Sequence, residues 1–333
     1  MVNNTKIKNI PEFLIKLNNL NKVKHYKFFR GHSDVHYDIV PKLFRKSYKV
    51  YLNEEHELLA NAEINYPEEL STHNSSFEKI AIMQHYGIAT RLLDLTENAL
   101  VALYFACNEK QGVKGQDGAV ILFKINADII KYYNSDSVSI LCAISKIDNK
   151  KIKNIAEEFK NELEKELNNI NEKNEYPNIL KLIKKPPQNQ TIIESIRNRQ
   201  LKQKEKELSI QILNKCSSID FIVHEIGNEK PHFKKKIHFE DFDNRILCVR
   251  SKLSNERIKA QSGLFLLFGI RGADKTKCPK IGYAKHQENI SYNKITIDKN
   301  YKKTIINELK ILGISKSTIF PGLAYASEEI LLR

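Results

Sequence analysis

Arg30 closes the aromatic run His25-Tyr26-Lys27-Phe28-Phe29 and is followed by Gly31 and His32. A guanidinium presents five donors in a planar fork that matches phosphate or carboxylate. A glycine beside it leaves room for something to approach the backbone. Arg30 therefore reads as an anion anchor, with a buried ion pair as the structural alternative. A second cluster is Gln84-His85-Tyr86-Gly87, followed by Thr90-Arg91 and Asp94. Here a helix end, a tight turn and a new helix start gather many donors within a few residues. His85 reads equally as a catalytic group or as a packed partner of a helix C-terminus. Arg91 and Asp94 lie three apart and can pair across the turn, or Asp94 can cap the next helix. A third cluster joins Arg257 to Ala260-Gln261-Ser262-Gly263, where Gln261 serves either a ligand or buried backbone groups. The catalytic candidates are Arg30, Gln84, His85 and Arg91. The ligand-binding candidates are Gly31, His32, Thr90, Asp94 and Gln261.

The elements that position these groups follow from periodicity and punctuation. A helix begins near Pro11 with Asn9 at its cap, and Phe13, Leu14, Leu17 and Leu20 recur at helical spacing. The run from His25 to Arg30 reads as a strand that stops at Gly31. Glu54 to Ala62 and Phe77 to Tyr86 read as helices, the second ending at Gly87 in the left-handed position after a helix. The residues from Ile88 to Thr96 read as a turn, with Asp94 or Thr96 capping a buried helix from Glu97 to Cys107. Gly118 to Ile125 is a nearly continuous apolar run, hence a central strand. Ile219 to Val223, Ile246 to Val249, Leu264 to Phe268 and Lys294 to Ile297 also read as strands. Ser254 is the expected cap of a short helix through Ala260, and Lys302 to Leu312 is a helix stopped by Gly313. Between residues 145 and 215 the composition turns to Lys and Glu around a stripe of Ile155, Phe159, Leu163, Leu167 and Ile170, broken at Lys184-Lys185-Pro186-Pro187. Arg197, Arg199, Lys202, Lys204 and Lys206 crowd a second helical stretch. The expected architecture is mixed α+β: a central mixed sheet flanked by helices, split by a charged helical insertion. Residues 1–144 and 216–333 form the two parts of the sheet domain, and 145–215 the insertion.

Composition narrows the function classes. The 333 residues carry a net charge of +14, with 54 Lys and Arg against 40 Asp and Glu. Such a surface concentrates anions and suits nucleotides or nucleic acid, although Lys-rich coding from an AT-rich genome yields the same balance on a merely solvated face. The five cysteines are odd in number and widely spaced, without a Cys-x-x-Cys pair. Neither a disulfide framework nor a metal site is expected, and the thiols suit a reducing cytosol. The first nine residues lack an apolar signal core, and the longest apolar run, Ala99 to Cys107, is too short to cross a bilayer. Gly-rich phosphate loops, His-Glu-x-x-His and Gly-x-Ser-x-Gly are all absent from the sequence.

The segments FFRGHSD, PKLFR, QHYGIATRLLDLTENALVALYFAC, RIKAQSGLF and LGISKSTIFPGL resemble the FRG domain, a family named for its Phe-Arg-Gly motif. The resemblance runs from Phe28 to Leu323, around the charged region, and departs at Leu95, where the family often has Trp. It implies that Arg30 is the naming arginine and that Gln84, His85, Thr90, Arg91 and Asp94 form the central motif, with Gln261 in a late Gln-x-Gly-x-Phe element. It also implies an intracellular, bacterial or phage-encoded protein met in mobile or defence-associated settings, including toxins. An aromatic-Arg-Gly strand is similar to the opening strand of ADP-ribosyltransferases, whose arginine holds the phosphates of NAD. NAD is thus the candidate cofactor and no metal is expected. An NAD-dependent transferase acting on nucleic acid or protein is one expectation, and a non-catalytic module binding a nucleotide or nucleic acid is the other. The helical insertion is the candidate surface for a protein partner. No catalytic glutamate is evident: Glu328 and Glu329 fall in a terminal stretch read as helix, and Glu225 and Glu256 lack a supporting motif.

Overall fold

The computed structural model describes residues 6–71, 75–108, 115–169, 176–179, 203–234, 236–252, 256–272, 274–281 and 289–321. Seven strands form one sheet: β1 (Phe28–His32), β2 (Leu92–Thr96), β3 (Gly118–Ile125), β4 (Ile130–Tyr132), β5 (Ile246–Arg250), β6 (Gly263–Phe268) and β7 (Ile290–Ile297). Their spatial order is β4-β5-β6-β2-β1-β3-β7. The pairings are antiparallel except β4 with β5, so the sheet is mixed and the fold is α+β.

Side chains alternate across the sheet. Phe28, Ala119, Ile121 and Phe123 join the larger core cluster, while Phe29, Val120 and Leu122 join the smaller one. The smaller cluster is completed by α1 (Ile10–Lys24), α5 (Ala99–Cys107) and α11 (Lys302–Ile311). On the larger cluster lie α2 (Glu55–Asn65), α4 (Ser76–His85), α6 (Asp136–Ser145), α7 (Asn149–Asn169), α8 (Gln203–Leu213) and α9 (Ser217–Glu229). Shorter helices include α3 (Pro67–Ser71), α10 (Glu256–Ala260) and α12 (Lys316–Ile319).

Local signals are obeyed at the helix ends. Asn9 caps α1 by accepting from the Glu12 N–H, and Gly87 and Gly313 take φ of +88° and +79° after α4 and α11. Several expectations are overturned. β1 continues through Gly31 to His32. Residues 92–96 are a strand between β1 and β6, not a turn, and the cap of α5 is Asn98, whose side chain accepts from Leu100 N–H. Ile219–Val223 lies inside α9, with Ile219, Ile222 and Ile226 buried at helical spacing. A short apolar run looks alike in both periodicities, and packing decided it.

Over Asn149–Asn169 the charged region does not project. Ile152, Ile155, Phe159, Leu163 and Leu167 of α7 are buried in the cluster that also holds sheet residues. Ile170, Lys184–Pro187, Arg197, Arg199 and Lys202 lie outside the described residues, as does Ser254. Each buried aliphatic or aromatic side chain contributes roughly 1.5–3 kcal/mol, so the stripe rivals a domain's whole net stability of about 5–15 kcal/mol. Deleting α7 is expected to abolish cooperative thermal unfolding. A sharp calorimetric transition in the deletion variant would refute this.

Gly31 has a packing role. A Cβ there would sit 2.0 Å from Ala102 O and 2.6 Å from Ala106 N, both backbone atoms of α5. The glycine admits the helix at close range. Gly31→Ala is expected to cost about 1–3 kcal/mol or more, because backbone cannot yield as a side chain can. Chemical denaturation against wild type measures it.

Candidate functional site

β1 and β2 pair at one position only, Phe29 with Thr96, whereas β1 pairs with β3 from Phe28–Phe123 to His32–Ala119. Beyond Phe29 the two strands part, and a cleft opens between them with an open space of about 860 Å³. Its floor and walls come from β1 (Arg30, Gly31), β2 (Asp94, Leu95), α4 (Gln84, His85) and α10 with the following turn (Arg257, Gln261). Phe29, Phe105 and Phe265 supply ring surface. Ala81, Gln84 and His85 share one helix face by their spacing of three and four.

Arg30 bridges the gap. Its Nε donates to His32 Nε2 at 3.0 Å and its Nη1 to the Asp94 carbonyl at 2.6 Å, supplying across the parted strands a bond that the ladder lacks. The Asp94 carboxylate lies 3.5 Å from Nη1. Nη2 has no partner among the described residues. Burial lowers the Arg30 pKa, opposed by Asp94 and aided by Arg45; a guanidinium stays charged regardless.

His32 sits behind Arg30, buried, and does not line the cleft. Burial first, then Arg30, Arg45 and Lys294, push its pKa down to about 3. It is therefore neutral and accepts from Arg30. The unfolded chain takes up a proton near pH 6.5 that the folded protein refuses. Stability is thus expected to fall as pH drops from about 6.5 toward 4, by up to about 1.4 kcal/mol per pH unit from this group. His32→Gln, which keeps an acceptor, is expected to flatten that slope in unfolding measurements. An unchanged slope would show that His32 is not its source.

Gln84 donates to Asp94 Oδ1 at 2.8 Å and accepts from the Thr90 hydroxyl, so Gln84 fixes the carboxylate's orientation. Thr90 is buried, outside the cleft lining, and acts through Gln84. His85 is half-buried, and burial followed by Arg257 lowers its pKa below the ordinary value. At neutral pH it is therefore uncharged, and neither ring nitrogen has a hydrogen-bond partner among the described residues. Arg257 donates to the His85 carbonyl at 3.4 Å and stacks 4.6 Å over the Phe320 ring. Gln261 donates to the Ile319 carbonyl at 3.2 Å, while its own backbone carbonyl accepts from Thr96 Oγ1 at 2.6 Å.

Arg91 is the correction to the site. Its side chain is fully buried and absent from the cleft lining. Nε and Nη2 fork onto both oxygens of Glu55, with Nε–Oε1 at 2.5 Å, and Nη1 donates to the carbonyls of Phe268 and Gly269 at 3.2 and 2.8 Å. Lys275 Nζ completes the cluster 3.2 Å from Glu55 Oε2. No sequence pattern marks Glu55 or Lys275, because their partners are distant in the chain. Arg257 stands out in the sequence, whereas the ring walls Phe105 and Phe265 read only as core.

The five cysteines are free, and all but the half-buried Cys278 are buried. Burial pushes the thiols of Cys107, Cys216, Cys248 and Cys278 up to about 12, which makes them poor nucleophiles. Among the described residues no group of three His, Cys, Asp or Glu could hold a metal ion, and no helix is long and apolar enough to cross a membrane.

Residues 25–114 match the family model of the FRG domain. The match covers β1, α4, β2 and α5, and with them Arg30, Gln84, His85 and Asp94. RIKAQSGLF and the tail segment lie outside it. No curated protein and no solved structure matches the chain significantly.

Proposed function

The chain carries an FRG domain, and we propose that the cleft between its parted strands binds the phosphate of a nucleotide, with Arg30 as anchor. The observation that carries this reading is the state of the guanidinium. His32 and the Asp94 carbonyl occupy Nε and Nη1, which holds the fork in one plane and leaves Nη2 without a partner among the described residues. A preorganised fork loses little entropy when it binds an oxyanion. Arg257 brings a second guanidinium to the lining, and the only carboxylate among the lining residues, Asp94, is held by Gln84 and pairs with Arg30 Nη1 at 3.5 Å. Half-buried Phe105, with the buried Phe29 and Phe265 behind the lining, gives a base an apolar wall. Free, buried thiols accord with a reducing cytosol as the setting.

An NAD-dependent transferase, in a toxin or phage-defence setting, is the second reading, favoured by the aromatic-Arg-Gly strand that opens the cleft. In that reading Arg30 and Arg257 would hold the diphosphate of NAD. Among the described residues the lining offers no glutamate for the ribose hydroxyls, so binding without transfer is the better-supported reading. Calorimetry with AMP, ADP and NAD, paired with mass spectrometry of the NAD sample, separates the two. ADP is expected to bind and NAD to remain intact. Release of nicotinamide would establish the transferase; failure of all three nucleotides to bind would remove the nucleotide reading.

A further inference from the structure

The segment that follows β1 carries charge and rings which the cleft itself does not use. Between Asp38 and Glu54 there is no acidic residue, yet Lys42, Arg45, Lys46 and Lys49 fall there with Tyr48 and Tyr51. Leu43 and Phe44 bury under the segment, whereas Lys46 and Lys49 are exposed and Tyr51 is 39% exposed. The Tyr48 and Tyr51 rings lie 6.3 Å apart at 41°. The Lys42 ammonium stands 4.8 Å over the Tyr48 ring and donates to the Gly87 carbonyl at 2.6 Å. Leu43 N–H donates to the Thr90 carbonyl. The segment is therefore pinned to the turn that follows α4, the helix that carries Gln84 and His85. Tyr86, beside that turn, is 69% exposed. The charge of Arg45 adds to the burial that lowers the Arg30 and His32 pKa values, so the basic run and the anchor share one positive field.

Cations in a stretch free of acidic residues, interleaved with the exposed Tyr51 ring and the half-buried Tyr48 ring, match what a flexible polyanion with π-faces requires. A free nucleotide would need only the cleft. A solvated lysine face would need neither the rings nor the two attachments to the turn after α4. We infer that residues 42–51 form a track for single-stranded nucleic acid, its phosphates on Arg45, Lys46 and Lys49 and a base against Tyr51, leading to the Arg30 cleft. The inference rests on the cleft reading only for where the strand leads.

The test is fluorescence anisotropy of the full-length protein with a labelled single-stranded RNA of roughly ten nucleotides, beside calorimetry with ADP. Exchanging Lys46 and Lys49 for Glu is expected to weaken RNA binding by about tenfold or more and to lower the salt slope by about 0.7 for each phosphate no longer neutralised. Tyr51→Ala is expected to weaken it roughly tenfold. ADP binding should stay as in wild type, as should the melting temperature, since these side chains are exposed. The Lys46→Gln, Lys49→Gln pair should fall between wild type and the charge reversal. The track is overturned if wild type binds no RNA at about 50 mM salt, if charge reversal or Tyr51→Ala leaves binding unchanged, or if a duplex of the same sequence binds as tightly. Binding to phosphatidylserine vesicles but not to RNA would overturn it equally. RNA binding that depends on Lys46 and Lys49 while ADP fails to bind would keep the track and remove the nucleotide cleft.

Discussion

Glu55→Gln is expected to be among the most destabilising single substitutions in this protein, at about 3–5 kcal/mol. Glu55 faces two cations in a fully buried cluster, Arg91 through a two-point fork and Lys275 at 3.2 Å. Burial alone would raise the carboxyl's pKa, but Arg91 and Lys275 together outweigh burial and hold it below the ordinary value. Glutamine keeps the shape and removes the anion that both cations face, leaving two buried positive charges side by side. Arg91→Ala should cost less, because Lys275 remains to neutralise Glu55, although the Phe268 and Gly269 carbonyls lose their donor. Arg91→Lys should not restore stability, since an ammonium cannot fork onto a carboxylate while reaching two carbonyls. Urea unfolding of the three variants gives the order directly. Nucleotide affinity of the folded fraction is expected to stay near wild type in each. An Arg91→Ala protein that melts like wild type but has lost its ligand would return Arg91 to the functional site.

Arg30 should behave in the opposite way. Each charge-assisted hydrogen bond contributes about 1.5–3 kcal/mol, so Arg30→Ala is expected to weaken ADP binding by roughly a hundredfold or more. Arg30→Lys should lose most of that affinity too, because one ammonium cannot hold the strand bridge and the ligand together. The stability cost should be small, about 1–2 kcal/mol. The Asp94 side chain is exposed and keeps its water, and His32 is relieved of a repelling cation. Differential scanning calorimetry beside ADP titration tests both halves. A variant that is unfolded, or one that is folded with unchanged affinity, would remove Arg30 from the role of anchor.

Much of the cleft's location was legible because its contributors sit where local rules act. Asn9, Gly87 and Gly313 end or begin helices through caps and left-handed turns whose cause lies within a few residues. The apolar run of β3 and the spacing within α7 declare buried faces without knowledge of partners, whereas the stripes of α1 and the last long helix are buried only at Phe13, Ile305 and Leu309, with Leu14 and Leu312 exposed. The clusters around Arg30, Gln84–His85 and Arg257–Gln261 were visible as polar groups at element ends, and element ends gather at one rim. Which of these groups face each other was not visible. Arg91 and Asp94, three apart, would pair in a turn or helix. Once residues 92–96 became a strand, an odd separation sent them to opposite faces. Asp94 then met Arg30 and Gln84, and Arg91 met Glu55. The same holds for Gly31, whose lack of a side chain admits α5 at close range, and for Ile219–Val223, whose apolar run fits strand or helix equally. Sequence by itself determined the cap of α1, the left-handed stops at Gly87 and Gly313, the buried stripe of α7 and the residue types that could bind an anion, because those follow from short-range sterics and hydrogen bonding. Only the tertiary structure decided which charges are neutralised in the core and which remain open to a ligand, because that depends on strand register and on partners far apart in the chain.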